Sequence, residues 1–184
     1  MKLNLEYQLT QEDYFDFTYY ATWIAQWNKR KRIIYYSRII ILCIAIIIFF
    51  HFTGKPLTST FLIIYSVFLC IYIFLVVPFW IKSNYKRVAR KFFKDEKNVI
   101  FFSKSNLEIN ESGIFSSDQH TSAHFRWSSV VKYAENEKLY MVFVSDSNAI
   151  IIPKRIISSS GNKEILTTIF QQNIPLQVQL HNKF

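Results

Sequence analysis

Residues 57–81 read LTSTFLIIYSVFLCIYIFLVVPFWI, 25 positions without one Asp, Glu, Lys, Arg or His. About 20 apolar residues carry a helix across ~30 Å of hydrocarbon, so this run has the length of a membrane span. Its segment Leu62-Ile63-Ile64-Tyr65-Ser66-Val67-Phe68-Leu69 leaves no polar face. A helix on the surface of a soluble domain keeps one. A shorter apolar run precedes it. Ile39 to Phe50 has no charged residue, Gly or Pro, and the run extends from Tyr35 to Phe52 with Arg38 near its start. It reaches spanning length when Arg38 snorkels toward the headgroups. The segment Thr53-Gly54-Lys55-Pro56 separates the two. A cleaved signal peptide does not fit, because the first run starts far from residue 1 and a second follows it.

The charge around these runs sets an orientation. Lys29, Arg30, Lys31, Arg32 and Arg38 stand at the head of the first run. Lys82, Lys86, Arg87, Arg90, Lys91 and Lys94 follow the second, while the connection holds only Lys55. Cytoplasmic flanks carry the Lys/Arg excess. Both termini are therefore expected to be cytoplasmic, with a tight extracytoplasmic turn near Gly54-Lys55-Pro56. Tyr35, Tyr36, Trp80 and Tyr85 suit the aromatic belt of the interface. Pro78 is expected to bend the end of the second span or to mark where it reaches the interface.

Composition agrees with a two-part chain. It has 184 residues, a formal charge of +9, 51% hydrophobic and 19% charged residues, and only 3 Gly and 4 Pro. Disordered, collagen-like and low-complexity classes are excluded. Two cysteines exclude a disulfide scaffold; Cys43 and Cys70 read as small apolar residues inside the spans. Residues 27–97 hold thirteen bases against Asp95 and Glu96, a net +11, while residues 1–26 net −3 and 98–184 net +1. The basic excess is thus a topology signal. A mean hydropathy of +0.11 averages two spans with a polar remainder and describes neither.

Four regions follow: a strand and aromatic-rich helix at 1–32, a two-helix transmembrane hairpin at 33–82, a basic juxtamembrane linker at 83–97, and a β-rich cytoplasmic domain at 98–184. In the first, Leu3, Leu5, Tyr7 and Leu9 alternate with polar residues, the period of a half-buried strand. Thr10 is an N-cap, with Glu12 and Asp13 in the first turn. Tyr14, Phe17, Thr18, Ala21, Ile24 and Ala25 continue at helical spacing, so a helix is expected from about Gln11 toward Arg32, running into the first span. Seven aromatics between Tyr14 and Trp27 are expected to pack on the cytoplasmic domain and the interface.

After Asn98 the pattern turns to short β-rich pieces: 99–102, 107–110, 113–115, 120–127, 130–134, 139–144 and 149–152. Turn signals separate them, at Asn110-Glu111-Ser112-Gly113, Glu135-Asn136-Glu137-Lys138 and Ser145-Asp146-Ser147-Asn148. A helix over 162–173, with Ile165, Leu166, Ile169 and Phe170 on one face, ends before Pro175. The expectation is an antiparallel, pleckstrin-homology-like domain capped by a C-terminal helix, within an α+β membrane protein. The strand at 3–9 is a candidate further edge strand, joining the two cytoplasmic segments.

Particular segments point to a family. Phe125-Arg126-Trp127-Ser128-Ser129-Val130 leads to Ala149-Ile150-Ile151-Ile152-Pro153-Lys154-Arg155, behind two spans. The chain in this resembles the YcxB-like family of bacterial membrane proteins. Tyr7-Gln8-Leu9-Thr10-Gln11-Glu12-Asp13-Tyr14 is similar to that family's amino-terminal pattern. Ile156-Ile157 departs from it, where an aromatic commonly follows. The resemblance implies a bacterial inner-membrane protein with a pleckstrin-homology-like cytoplasmic domain, and no activity. Its pattern residues read as structural: Trp127 covers the core, Pro153 ends a strand, and Lys154 and Arg155 lie in a turn before the helix or against lipid phosphate.

No catalytic constellation stands out. His120 and His124 share a strand face without a Cys or carboxylate cluster, and His51 and His181 lie elsewhere, so no metal site is expected. A Gly-x-Ser-x-Gly frame and a glycine-rich phosphate loop are missing. The bases at 82–94 adjoin a span and the β-rich part is nearly neutral, unlike a nucleic-acid binder. The expectation is a non-enzymatic interaction or regulatory protein without cofactor. Its partners are membrane lipids, through Lys29, Arg30, Lys31, Arg32, Arg38, Lys82, Lys86, Arg87, Arg90 and Lys91, and a protein partner or further copy of the chain. An accessory or immunity protein of a bacteriocin or transport system is the alternative.

Overall fold

A computed structural model of the chain describes residues 1–52, 58–118, 121–146, 148–157 and 159–174. The expected Gly54-Lys55-Pro56 turn, His120, Pro175 and His181 lie outside them. The chain divides into two units, Met1–Thr18 with Val88–Phe184, and Tyr19–Arg87.

In the first unit, β1 (Lys2–Gln8) is the edge of a four-stranded antiparallel sheet with β2 (Lys104–Asn110), β3 (Gly113–Ser117) and β4 (Ser122–Arg126), in chain order. The expected edge strand is therefore there, and it ties the start of the chain to residues a hundred positions away. Register follows alternation. Leu3 opposes Ile109 and Leu5 opposes Leu107, and all four are buried. Lys2 and Glu6 point outward into ion pairs with Glu108 and Lys104. A second antiparallel sheet holds β5 (Lys132–Glu135), β6 (Leu139–Phe143) and β7 (Ala149–Pro153).

One apolar cluster joins the two sheets to α5 (Ser160–Asn173). Ser159 caps α5, accepting from the Asn162 amide at 3.1 Å. Spacing then puts Leu166, Ile169 and Phe170 on one buried face. Each such side chain contributes about 1.5–3 kcal/mol by leaving water. All five β6 residues are buried, so this strand is covered on both faces. On one side Tyr140 and Val142 join the main cluster. On the other, α1 (Gln11–Tyr19) brings Phe17 against Phe143, with ring centres 6.0 Å apart.

The β2–β3 turn depends on glycine. Gly113 has φ +152°, and a Cβ there would stand 2.3 Å from the Phe125 carbonyl oxygen. Backbone strain of this kind costs on the order of 1–3 kcal/mol, and the clash adds to it. Gly113→Ala is expected to lower the melting temperature of the detergent-solubilised chain, whereas Glu111→Ala in the same turn leaves it nearly unchanged.

Two sequence expectations are corrected in this unit. Val99-Ile100-Phe101-Phe102 is not a strand; it lies in a 3-10 segment, Glu96–Phe102. Four apolar residues in a row carry no period of two, and Asp95 caps the segment by accepting from the Lys97 amide at 3.1 Å. The strand expected at 120–127 covers Ser122–Arg126, and Trp127 opens a short 3-10 turn instead.

The second unit contains two helices long and apolar enough to cross a membrane: Lys29–Phe52, of 24 residues, and the start of a 35-residue run, Thr60–Lys94. The first is α2 and has no buried residue. The second run comprises α3 (Ser59–Ile71), a π-turn at Tyr72–Val76, and α4 (Val77–Lys94). Pro78 has no amide hydrogen to donate into the preceding turn. The π-turn just before it, in which the Val77 amide reaches the Tyr72 carbonyl, is where the ladder adjusts. Tyr65 Oη donates to the Cys43 carbonyl at 3.3 Å, and Phe50 meets Phe61 at 6.1 Å, so α2 and α3 meet at these two places. Cys43 and Cys70 are free thiols.

The expected continuous helix from Gln11 toward Arg32 is also corrected. After α1 comes a π-turn, Tyr20–Ile24, and Ala25 is extended at φ −51°, ψ 146°. A 3-10 turn at Gln26–Asn28 then leads into α2. Periodicity did not reveal this break because no Gly or Pro marks it; side-chain hydrogen bonds from residues seven to nine positions further on hold it. Arg32 Nη1 donates to the carbonyls of Trp23, Ile24 and Ala25, and Asn28 Nδ2 donates to Ala21 O at 2.7 Å.

Whether the second apolar run inserts into a membrane is directly testable. Phe68 is 68% exposed near the middle of the second apolar run. Phe68→Arg is expected to cost about 2.5–3.5 kcal/mol of insertion free energy. Glycosylation mapping should then show a larger fraction of chains failing to insert, while Phe68→Leu behaves as the parent.

Candidate functional site

The polar groups of the first unit converge where α1 begins and β7 ends. Thr10 and Asp13 form a reciprocal cap. The Asp13 amide donates to Thr10 Oγ1 at 3.2 Å, and the Thr10 amide and hydroxyl both donate to Asp13 Oδ2 at 2.8 Å. This places the Asp13 carboxylate inward, and the residue is only 7% exposed.

A buried carboxylate needs a cation and donors. Arg155 supplies both. Its Nη1 reaches Asp13 Oδ1 at 2.5 Å, and its Nη2 donates to the Gln8 carbonyl at 2.9 Å. Gln8 in turn donates through Nε2 to the Phe102 carbonyl at 2.7 Å. The geometry depends on Pro153, which is buried at the end of β7 and starts the 3-10 turn Lys154–Ile156. That turn directs Lys154 and Arg155 to neighbouring partners. Lys154 Nζ pairs with Glu135 at 2.6 Å and lies 4.8 Å over the Tyr140 ring. Lys138 pairs with Asp16 at 2.8 Å, and the Asp16 hydrogen bond and charge hold its ammonium above the usual lysine range.

These groups surround a surface hollow of about 430 Å³, lined by Thr10, Glu12, Asp13, Asp16, Glu137, Lys138, Lys154 and Arg155. Four carboxylates and three cations share it. Such a surface can exchange an internal ion pair for one with a charged partner segment, which is recognition chemistry. Among the described residues no three His, Cys, Asp or Glu side chains gather to hold a metal. His124 is instead stacked on Phe115, with ring centres 3.9 Å apart.

The tyrosines next to this site respond to pH. Burial first, and the Asp13 charge second, push the Tyr7 phenol from 10.0 up to about 12. Burial and the Glu135 carboxylate raise Tyr133 in the same direction. The neutral phenol is favoured in the fold, so its stabilisation is complete below pH 10 and is lost as pH rises toward 12. Melting temperature should fall over that window, and Tyr7→Phe should flatten the decline.

The sequence-derived residues are distributed as follows. Trp127 is buried in the main cluster, its indole donating to the Asn110 carbonyl at 2.9 Å and its ring meeting Phe170 at 5.9 Å. Lys154 and Arg155 lie in the turn before the final helix, where they pair with Glu135 and Asp13. Lys29, Arg30, Lys31 and Arg38 are exposed on α2, and Lys82, Lys86, Arg87, Arg90 and Lys91 are exposed on α4. Arg32 is committed to carbonyls of its own unit. Asp13, Asp16, Gln8 and Lys138 did not stand out in the sequence as site residues. Asp13 was legible as a helix-start acid, but its burial depends on a pairing across 142 positions.

Comparison with known proteins agrees with the resemblance read from the residues. The model of the YcxB-like protein family matches residues 109–170, from β2 through most of α5. No curated protein and no solved structure matches the chain.

Proposed function

We propose, from this YcxB-like segment and the two apolar helices, that the protein is a membrane-anchored, non-enzymatic interaction or regulatory protein. In this reading the helices form a hairpin in a bacterial cell membrane. Their basic flanks lie on the cytoplasmic side, in contact with anionic headgroups at about 1 kcal/mol per base. A pleckstrin-homology-like domain is presented at that face. The four-plus-three strand arrangement with α5 against both sheets supports this class of domain.

The observation that carries the reading is the hollow at the start of α1. Its ionisable groups are engaged with one another in a fixed constellation, Asp13 with Arg155 and Asp16 with Lys138. They are placed for recognising charge. Glu12 and Glu137 are exposed at its rim, so a segment carrying Lys or Arg is the partner it suits.

A photo-crosslinker at position 137 of the full chain tests this in cells. One discrete crosslinked protein is expected, and Glu12→Lys should abolish it. No crosslink, or one insensitive to Glu12→Lys, contradicts the reading. If the captured protein is a membrane-active peptide encoded nearby, and deletion raises sensitivity to it, the immunity alternative replaces regulation.

A further inference from the structure

The 3-10 segment Glu96–Phe102 holds three consecutive apolar side chains out into solvent. Val99 is 58%, Ile100 47% and Phe101 64% exposed. They are not the fringe of a loose loop. Phe102 turns inward, 6% exposed. It packs 4.6 Å from Phe93 and edge-on to Tyr14 at 5.8 Å. Asn98 Nδ2 donates to the Phe92 carbonyl at 3.2 Å, and the Ser103 amide donates to the Ile100 carbonyl at 3.2 Å. The turn is fixed on both sides, and its outward residues are presented by design of the backbone. A contiguous exposed apolar patch of this kind marks an interaction surface.

Charge identifies the occupant. Residues 90–104 carry Arg90, Lys91, Lys94, Lys97 and Lys104 against Asp95 and Glu96. Lys104 pairs with Glu6, and Arg90, Lys91, Lys94 and Lys97 precede the tip in the chain; an apolar tip next to such a basic stretch is complementary to the headgroup and acyl boundary of an anionic bilayer. Seventeen residues, 82–98, separate Val99 from Ile81, the last residue of the second apolar run, and thirteen of them continue α4, about 20 Å of helix, so the patch follows the apolar run within one short segment of chain. We propose that Val99, Ile100 and Phe101 insert into the anionic membrane interface and dock the β-rich domain on the membrane that holds the apolar helices. This rests on the membrane-anchored reading above and extends it, by naming lipid as what the domain surface meets.

The test uses the full chain with Cys43→Ala and Cys70→Ala, reconstituted in vesicles of phosphatidylcholine and phosphatidylglycerol. An environment-sensitive fluorophore is attached at one introduced cysteine. Ile100→Cys probes the turn, Glu111→Cys the distant β2–β3 turn, and Ile46→Cys the interior of α2. Far-UV dichroism checks that each chain is folded. Lipids spin-labelled near the headgroup should quench the probe at residue 100 several-fold more than at residue 111, with a blue-shifted emission. Vesicles of phosphatidylcholine alone should give less quenching. Quenching at residue 100 no greater than at residue 111 overturns the docking while leaving the anchor intact, provided that deep-labelled lipid quenches residue 46. A blue shift at residue 100 without lipid quenching means that protein covers the turn, and also overturns it. Failure at residue 46 removes the anchor and the docking together.

Discussion

Replacing Trp127 by Ala is expected to cost about 3–5 kcal/mol of stability, enough to leave a marginally stable domain largely unfolded. The indole is 7% exposed and fills the space between the β4 end and Phe170 of α5. Two things are lost together. The ring's buried area leaves a cavity that the two sheets cannot close, because each is held by its own ladder. The Asn110 carbonyl also loses the indole donor at 2.9 Å. Trp127→Phe separates them, retaining most of the area and costing about 1–2 kcal/mol for the unmade hydrogen bond. Thermal unfolding of the detergent-solubilised chain, followed by near-UV dichroism, orders the series as parent, Phe and then Ala. Equal losses for Phe and Ala would mean that the hydrogen bond, not the packing, holds the site.

The second large effect belongs to Asp13 and Arg155. Removing one member of a buried pair leaves an uncompensated charge, at a cost of about 3–5 kcal/mol when both are buried. Here the Asp13 side chain is 10% exposed but Arg155 is 45% exposed, so Arg155→Ala is expected at the lower end, about 2–3 kcal/mol. Asp13→Ala also removes the cap on Thr10, and Asp13→Asn preserves the cap while discharging the pair. The double variant Asp13→Asn with Arg155→Ala should lose less than the two singles together, because no charge is then left unpaired. A double variant whose loss is the sum of the two singles would show that the residues act separately, and the clasp between the two ends of the unit would not be a unit.

Much of the fold was legible, for reasons that can be assigned. The run at 57–81 read as a long apolar helix by length and charge, and the period-two pattern of Leu3, Leu5 and Tyr7 specified both a strand and its buried face. The spacing of Ile165, Leu166, Ile169 and Phe170 located α5. Where reasoning from pattern failed, the deciding interaction was a side-chain contact that periodicity does not encode. Nothing near Ala25 announces a helix break, because the donors that hold it come from Asn28 and Arg32. Val99-Ile100-Phe101-Phe102 has strand composition, and only the inward anchoring of Phe102 against Phe93 and Tyr14 shows that the others face out. The candidate site was half visible. Lys154 and Arg155 were singled out by their place after Pro153, but their partners Glu135 and Asp13 lie 19 and 142 positions away. A single sequence holds no signal that connects them.

The central claim is that the two apolar helices form one hairpin with both basic flanks, and therefore the β-rich domain, on the cytoplasmic side. Alkaline phosphatase, active only outside the cytoplasm, tests it most directly when fused after Phe184 and, separately, inserted between Lys55 and Pro56. The expected result is an inactive fusion at Phe184 and an active insertion after Lys55. Activity at Phe184 would contradict it.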